Sequence, residues 1–151
     1  MSPRPSSADI NVFDSLDEQV AVRNFAGKTL AEAEALFRDN ALRYQEDLMF
    51  MGPVAFRFYV PAYVNYLRSE ASSGDPDAVN CFLGLVRFRL EFEPEELEPV
   101  RELLADACRA VLAQYGRFEV NETVYGDLRG SYEALLASLT ATSADDPAGF
   151  R

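Results

Sequence analysis

The chain has 151 residues, one domain's worth, and 48% of them are hydrophobic, with 11 Phe and 7 Tyr, which suffices for a core and excludes disorder as the main state. Its 25 acidic against 14 basic side chains give a net charge of −11, a field that repels phosphate backbones and anionic membranes and favours basic partners. Histidine is absent, which removes the commonest metal ligand and general base, so no metal, no cofactor and no His-assisted nucleophile is expected.

Taken in chain order, residues 1–9 (MSPRPSSAD) and 141–151 (ATSADDPAGFR) are small, polar and proline-containing, and they read as disordered tails around a domain at 10–140. No charged start with an apolar core opens the chain and no apolar run reaches the roughly 18 residues of a membrane helix, so the expected compartment is the cytoplasm. Helix starts are signalled by capping boxes at Ser15 with Glu18 and at Thr29 with Glu32, by Asp75 before Pro76, and by Pro53 and Pro94 at first-turn positions. From Leu30 to Met51 the residues Ala33, Leu36, Phe37, Tyr44, Leu48 and Met51 share one face, which predicts a long helix with a break near Asn40. Val100, Leu103, Leu104, Ala107, Cys108, Val111, Leu112 and Tyr115 predict a helix over 98–115, and a last helix is expected from Asn121 through Leu139. Gly126 and Gly130 would share a face of that last helix and admit another backbone.

One stretch has two readings. Val86, Phe88, Leu90 and Phe92 alternate with charged residues as in a half-buried strand, while Val79, Phe82, Leu83, Val86 and Leu90 satisfy a helix starting at Pro76, the reading preferred here. Cys81 and Cys108 lie on apolar helical patterns, where they act as small core hydrophobes rather than as a disulfide.

Few motifs offer chemistry. Gly27-Lys28-Thr29 resembles the tail of a phosphate-binding loop, but the glycine required five positions earlier is Val22, leaving a loop glycine and a helix cap. Glu91, Glu93, Glu95, Glu96, Glu98, Glu102 and Asp106 form the densest acidic run, without calcium-loop spacing. Acidic residues oppose the positive end of a helix, and Glu95 and Glu96 also offer contacts to a basic protein. The segment 50–66 is unusually aromatic: as a helix from Pro53 it places Phe56, Tyr59, Tyr63 and Tyr66 on one stripe, and Pro61 is expected to kink it.

The run Phe50-Met51-x-Pro53-x-Ala55-Phe56-Arg57-x-Tyr59-Val60-Pro61-Ala62-Tyr63 resembles the signature F-L-x-P-x-A-F-R-Y-Y-L-P-A-F/Y of a bacterial domain family. Met51 and Val60 stand for the usual leucines, and the tryptophan expected upstream is missing. The resemblance implies a helical fold, a loose association with toxin and immunity gene neighbourhoods, and no catalytic residue.

The expected fold is therefore all-α, a single compact domain of five or six helices around the kinked helix from Pro53 to Arg68. The leading functional reading is a non-enzymatic acidic protein-binding module, an immunity-type inhibitor in one form, that engages a basic partner through Glu95, Glu96 and the Arg57, Tyr59, Tyr63, Tyr66 face. Two alternatives stand beside it. One is a small-ligand binder or enzyme with a pocket at the Pro61 kink, Arg57 holding an anion and Tyr59 or Tyr63 supplying hydroxyl chemistry. The other is an oligomerisation or scaffold domain with an exposed apolar face.

Overall fold

A computed structural model of the chain describes residues 3–141. Every regular element among them is helical: α1 (Ser7–Ile10), α2 (Leu16–Phe25), α3 (Leu30–Phe50), α4 (Pro53–Arg68), α5 (Pro76–Phe92), α6 (Arg101–Ala113), α7 (Glu122–Tyr125) and α8 (Leu128–Thr140). Short 3-10 turns occupy Glu70–Ser72, Pro94–Val100 and Tyr115–Phe118. No helix among the described residues is long and apolar enough to cross a membrane.

The helix starts follow the caps. Ser15 accepts from the Glu18 N–H while the Glu18 carboxylate reaches back to Ser15, Thr29 and Glu32 repeat the arrangement, and Asp75 accepts from Ala78 ahead of Pro76. Asn40 leaves helical dihedrals (φ −163°, ψ 85°) and accepts from the Arg43 N–H, so it ends one half of α3 and caps the other. Residues 86–92 belong to α5, with Glu93 as its C-cap: Val86 and Arg89 turn inward while Phe92 points out.

The count differs from expectation because two single turns, α1 and α7, add to six longer helices. Ser6 and Asp9 form a capping box within the segment expected as a tail, and Ile10, which α1 ends on, is fully buried. The expected last helix is split: Gly126 takes φ +79°, which ends α7 after one turn, and Asp127 then caps α8 by accepting from the Gly130 N–H at 2.9 Å. The two glycines thus make a break and a cap rather than a shared packing face. Pro94 starts a 3-10 turn instead of an α-helix, and Pro99 within it has no N–H to donate, so α6 begins only at Arg101. Across Pro61, by contrast, α4 runs on without a break, and the departure from helical dihedrals falls in α3 at Asn40. The C-terminal segment expected as a tail lies, from 142 on, outside the described residues.

α4 sits at the centre, packed against α1, α3 and α6, while α3 also packs on α2 and α5, and α8 on α5 and α6. Rings carry the core across these elements: Phe25 of α2 meets Phe37 of α3 (5.7 Å between centroids) and Tyr59 of α4 (5.2 Å), Phe37 meets Tyr63 (4.8 Å), and Tyr63 meets Phe82 of α5 (5.3 Å). Helix ends are closed by long side chains from elsewhere in the chain. Arg117 donates to the Leu67 and Ser69 carbonyls at the end of α4, and Arg101 donates to those of Ser138 and Leu139 at the end of α8. A guanidinium both satisfies orphan carbonyls and opposes the negative end of the helix.

Candidate functional site

The segment between α1 and α2 takes its shape from one carboxylate. Glu18, buried in the first turn of α2, accepts from the backbone N–H groups of Val12 (3.0 Å), Phe13 (3.0 Å) and Ser15 (2.9 Å) and from the Ser15 hydroxyl (2.9 Å). Burial alone would raise the Glu18 carboxyl, but these donors together outweigh it and hold its pKa below the usual carboxylate value. The ionised side chain closes the loop, with Asp14 in the left-handed region at φ 60°. Phe13 is thereby held outward, 81% exposed.

Across from this loop lies the junction of α3 and α4. Arg89 of α5 is only 3% exposed; it donates to the Leu48 carbonyl (3.0 Å) and the Met51 carbonyl at the end of α3, and to Glu93 Oε1 at 2.7 Å. Its guanidinium carbon lies 4.4 Å from the centre of the Phe56 ring, and its Nε has no partner. Burial draws its pKa down and the Glu93 carboxylate works against that.

Between loop and junction opens a cleft of about 340 Å³ lined by Phe13, Phe50, Phe88 and Phe92, with Glu18, Arg89 and Glu93 also on its walls. Phe88 packs on Phe92 (5.0 Å) and meets Phe50 edge-on (6.1 Å). Phe92 is 64% exposed, and Leu16, three residues on from Phe13, is 79% exposed. A cleft lined by partly exposed rings, such as Phe13, Phe50, Phe88 and Phe92 make here, marks a contact site more often than scattered exposed side chains do. Asp14, Asp17 and Glu91, sequence neighbours of the lining residues, are exposed and have no cation within ion-pair distance among the described residues. Arg89 is the one cation of the lining, and Glu93 already neutralises it.

The residues singled out from the sequence lie elsewhere. Tyr59, Tyr63 and Tyr66 are buried, so they form core rather than a contact face. Tyr59 offers its hydroxyl to the Phe25 and Lys28 carbonyls at the end of α2 (2.8 Å each), Tyr63 donates to the Ala78 carbonyl (2.8 Å) and Tyr66 to Asp75 Oδ2 (2.6 Å). Tyr125 and Tyr132 donate to Asp77 Oδ1 (2.5 Å) and the Val79 carbonyl (2.6 Å), so four tyrosines converge on the first turn of α5. Burial raises Tyr59, and raises Tyr63 and Tyr132 well above the ordinary phenol value, which leaves no hydroxyl here poised for proton transfer at neutral pH.

Arg57 and Glu96 are brought together, at 2.6 Å, while Glu95 stays exposed without a cation among the described residues. The acidic run is largely neutralised from within: Glu93 pairs with Arg89, Glu98 with Arg101, and Glu102 and Asp106 with Arg109. Pro61 lines neither the phenylalanine cleft nor a second one of about 430 Å³, whose walls include Arg4, Arg57 and Phe58. Among the described residues no group of three or more His, Cys, Asp or Glu is placed to hold a metal ion. Cys81 and Cys108 are free thiols whose pKa values burial pushes up to about 11 and about 12, which makes them poor nucleophiles.

Phe13, Phe50, Phe88 and Phe92 were not singled out from the sequence as a site. The signal was present in α5, which has more apolar positions than one buried face can use. Val79, Phe82, Leu83 and Val86 fill the core side, and Phe88 and Phe92, one turn apart, form a ridge off it. No family model matches the chain, and neither curated proteins nor solved structures offer a match.

Proposed function

We propose that the chain is a non-enzymatic, acidic protein-binding module that receives a basic partner in the cytoplasm, as an immunity-type inhibitor does. The observation that carries this reading is the cleft lined by Phe13, Phe50, Phe88 and Phe92 on a chain of net charge −11, in which Asp14, Asp17 and Glu91, next in sequence to Phe13, Leu16 and Phe92, have no cation partner among the described residues. An aromatic surface supplies binding energy once desolvated, and the surrounding negative charge steers a cationic partner and rejects anionic ones. The resemblance of residues 50–63 to a bacterial domain family agrees with such a role, and Phe50 of that run is itself on the cleft.

The test is affinity capture from the native host followed by reconstitution with the purified partner. A partner of net positive charge binds at low salt, and binding is lost at high salt and in Phe92→Glu, while Glu95→Gln retains it. Capture of no basic protein, or binding indifferent to Phe92→Glu, overturns the proposal.

A second reading, a small-ligand binder, draws on the cleft where Arg4 and Arg57 face Phe58, Val54 and Val100. It requires an acidic ligand whose affinity falls in Arg57→Ala while the fold stays intact.

A further inference from the structure

We infer that the cleft walled by Arg4, Arg57 and Phe58 binds a small zwitterion, an α-amino acid with an apolar side chain. The two guanidiniums hold its carboxylate, the Asp9 carboxylate holds its ammonium, and Val54, Phe58 and Val100 receive its side chain. This rests on the reading of that cleft as a small-ligand site and adds that the acid it takes also carries a positive charge.

The argument is one of unspent charge. Arg4 and Asp9 stand on the walls of one cleft, yet neither forms an ion pair among the described residues, with each other or with any third side chain. Arg4 donates one bond, from Nη1 to the Gly27 carbonyl at 3.1 Å. Asp9 accepts from the Ser6 N–H (2.8 Å) and hydroxyl (3.1 Å) through Oδ2 alone, and its Oδ1 has no partner among the described residues. Arg57 gives Nη1 to Glu96, while its Nε and Nη2 have no partner among the described residues and stay open to solvent. The walls therefore carry an unpaired cation, an unpaired carboxylate and a spare guanidinium edge. Each is positioned from outside the cleft: Asp9 by the cap of α1, Arg57 by Glu96, and Arg4 by the turn between α2 and α3. Groups held in this way lose little freedom when a ligand arrives.

The ligand's chemistry follows by elimination. A plain anion leaves Asp9 facing a like charge, on a chain whose net charge is −11. A plain cation meets two guanidiniums. A neutral apolar molecule strips water from three charged side chains and returns no partner to any of them. A zwitterion returns one to each, and guanidinium with carboxylate is among the strongest of such pairings. The remaining wall is apolar, and Val54, 51% exposed, leaves surface there for a side chain to cover. At about 430 Å³ the cleft falls within the roughly 300–1,000 Å³ of small-molecule sites.

The test uses the full chain and four probes: free leucine, isocaproate (the same body without the ammonium), isoamylamine (the same body without the carboxylate) and glycine, which lacks the body. Affinity is read by calorimetry and location by amide chemical shifts. Leucine binds and shifts Asp9, Val54, Phe58 and Val100, and each of the other probes binds at least about tenfold more weakly for want of one contact. Asp9→Asn, which keeps an acceptor for Ser6, binds leucine no better than isocaproate, and Arg57→Ala weakens leucine about tenfold with the fold intact. Leucine affinity unchanged in either variant overturns the inference. If isocaproate binds as tightly as leucine, Asp9 holds no ammonium and the inference falls while the acidic-ligand reading stands. If glycine binds as tightly, the apolar wall plays no part and the inference again falls alone. If isoamylamine binds as tightly as leucine, if the shifts are confined to other residues, or if none of the four binds, both fall.

Discussion

One guanidinium nitrogen of Arg57 reaches Glu96 twice, donating to its carboxylate at 2.6 Å and to its backbone carbonyl at 3.1 Å, and so ties α4 to the turn Pro94–Val100. Two residues that the sequence offers as separate contacts for a partner thus neutralise each other. Their side chains are 25% and 46% exposed, and an ion pair in that position is weakened by solvent screening. Arg57→Ala is expected to cost about 0.5–1 kcal/mol in urea denaturation and to leave the fold intact. A cost on the order of 3 kcal/mol would instead mark the pair as desolvated and structural.

Arg89 is the opposite case. Its removal leaves the Leu48 and Met51 carbonyls and Glu93 without their donor in a buried setting and strips the cation from the Phe56 ring. Arg89→Ala is expected to cost about 3–5 kcal/mol, a large share of the stability of a domain this size. Arg89→Lys should recover little of it, since a point charge cannot serve two carbonyls and a carboxylate in fork geometry. Chemical denaturation of both variants decides this: a lysine variant as stable as the parent would mean that charge alone, not the planar donor set, holds the end of α3.

This arginine also shows where the sequence stopped being legible. Local chemistry was readable: Ser15, Thr29 and Asp75 cap the helices expected of them, and the break at Asn40 falls where a short polar side chain can replace a helical bond. The buried face of α5 followed from its period. What a period cannot say is which charged residue enters the core, because Arg89 is drawn in by carbonyls at the end of α3, 38 and 41 residues away. The tyrosine stripe of α4 was likewise readable as a stripe. Its burial depends on carbonyls and carboxylates of α2 and α5 that accept the hydroxyls, and no local pattern reports those. The cleft was missed because Phe13 belongs to a loop and is aimed by Glu18, a residue that the sequence presents only as half of a capping box.

Glu18 and Asp47 should give opposite pH profiles. Glu18 has a folded-state pKa below its ordinary value near 4.5, so its stabilisation is present above that value and is lost as pH falls through the folded pKa. Asp47 is raised, first by burial, with the hydrogen bond from Asn24 and the Arg43 charge opposing and Glu46 and Asp17 adding to the rise. Its ionisation therefore destabilises the fold above its folded pKa, and the penalty is relieved as pH falls. Asp47→Asn, which keeps an acceptor for Asn24, should stabilise at neutral pH with a gain that vanishes in acid. Glu18→Gln should cost about 2–3 kcal/mol at neutral pH, with a loss that shrinks in acid. Melting temperatures from neutral pH down to about 3 check both, and parallel profiles for the two variants would contradict the assignment.

Gly52 is a glycine for want of space rather than for its dihedrals. Its φ of −58° suits any residue, and its N–H donates to the Ile10 carbonyl at 2.9 Å. A Cβ there would collide with the Asp9 carbonyl oxygen and with Val12 Cγ2, so the backbones of α1 and the α3–α4 junction touch at this point. Gly52→Ala must push α1 away, at a cost of about 1–3 kcal/mol. Gly27 offers the contrast: it has open space around its Cβ position but φ +76°, so Gly27→Ala is strained by about 1–2 kcal/mol without moving a neighbour. Equal losses of stability can therefore be told apart by hydrogen exchange. Gly52→Ala should speed exchange at the Val12, Phe13 and Ser15 amides, which Glu18 holds against the cleft, and should weaken any ligand seated on Phe13. Gly27→Ala should leave those amides as they are. Unaltered protection of the three amides in Gly52→Ala would mean that α1 can be displaced without disturbing the loop, and that Glu18 alone aims Phe13.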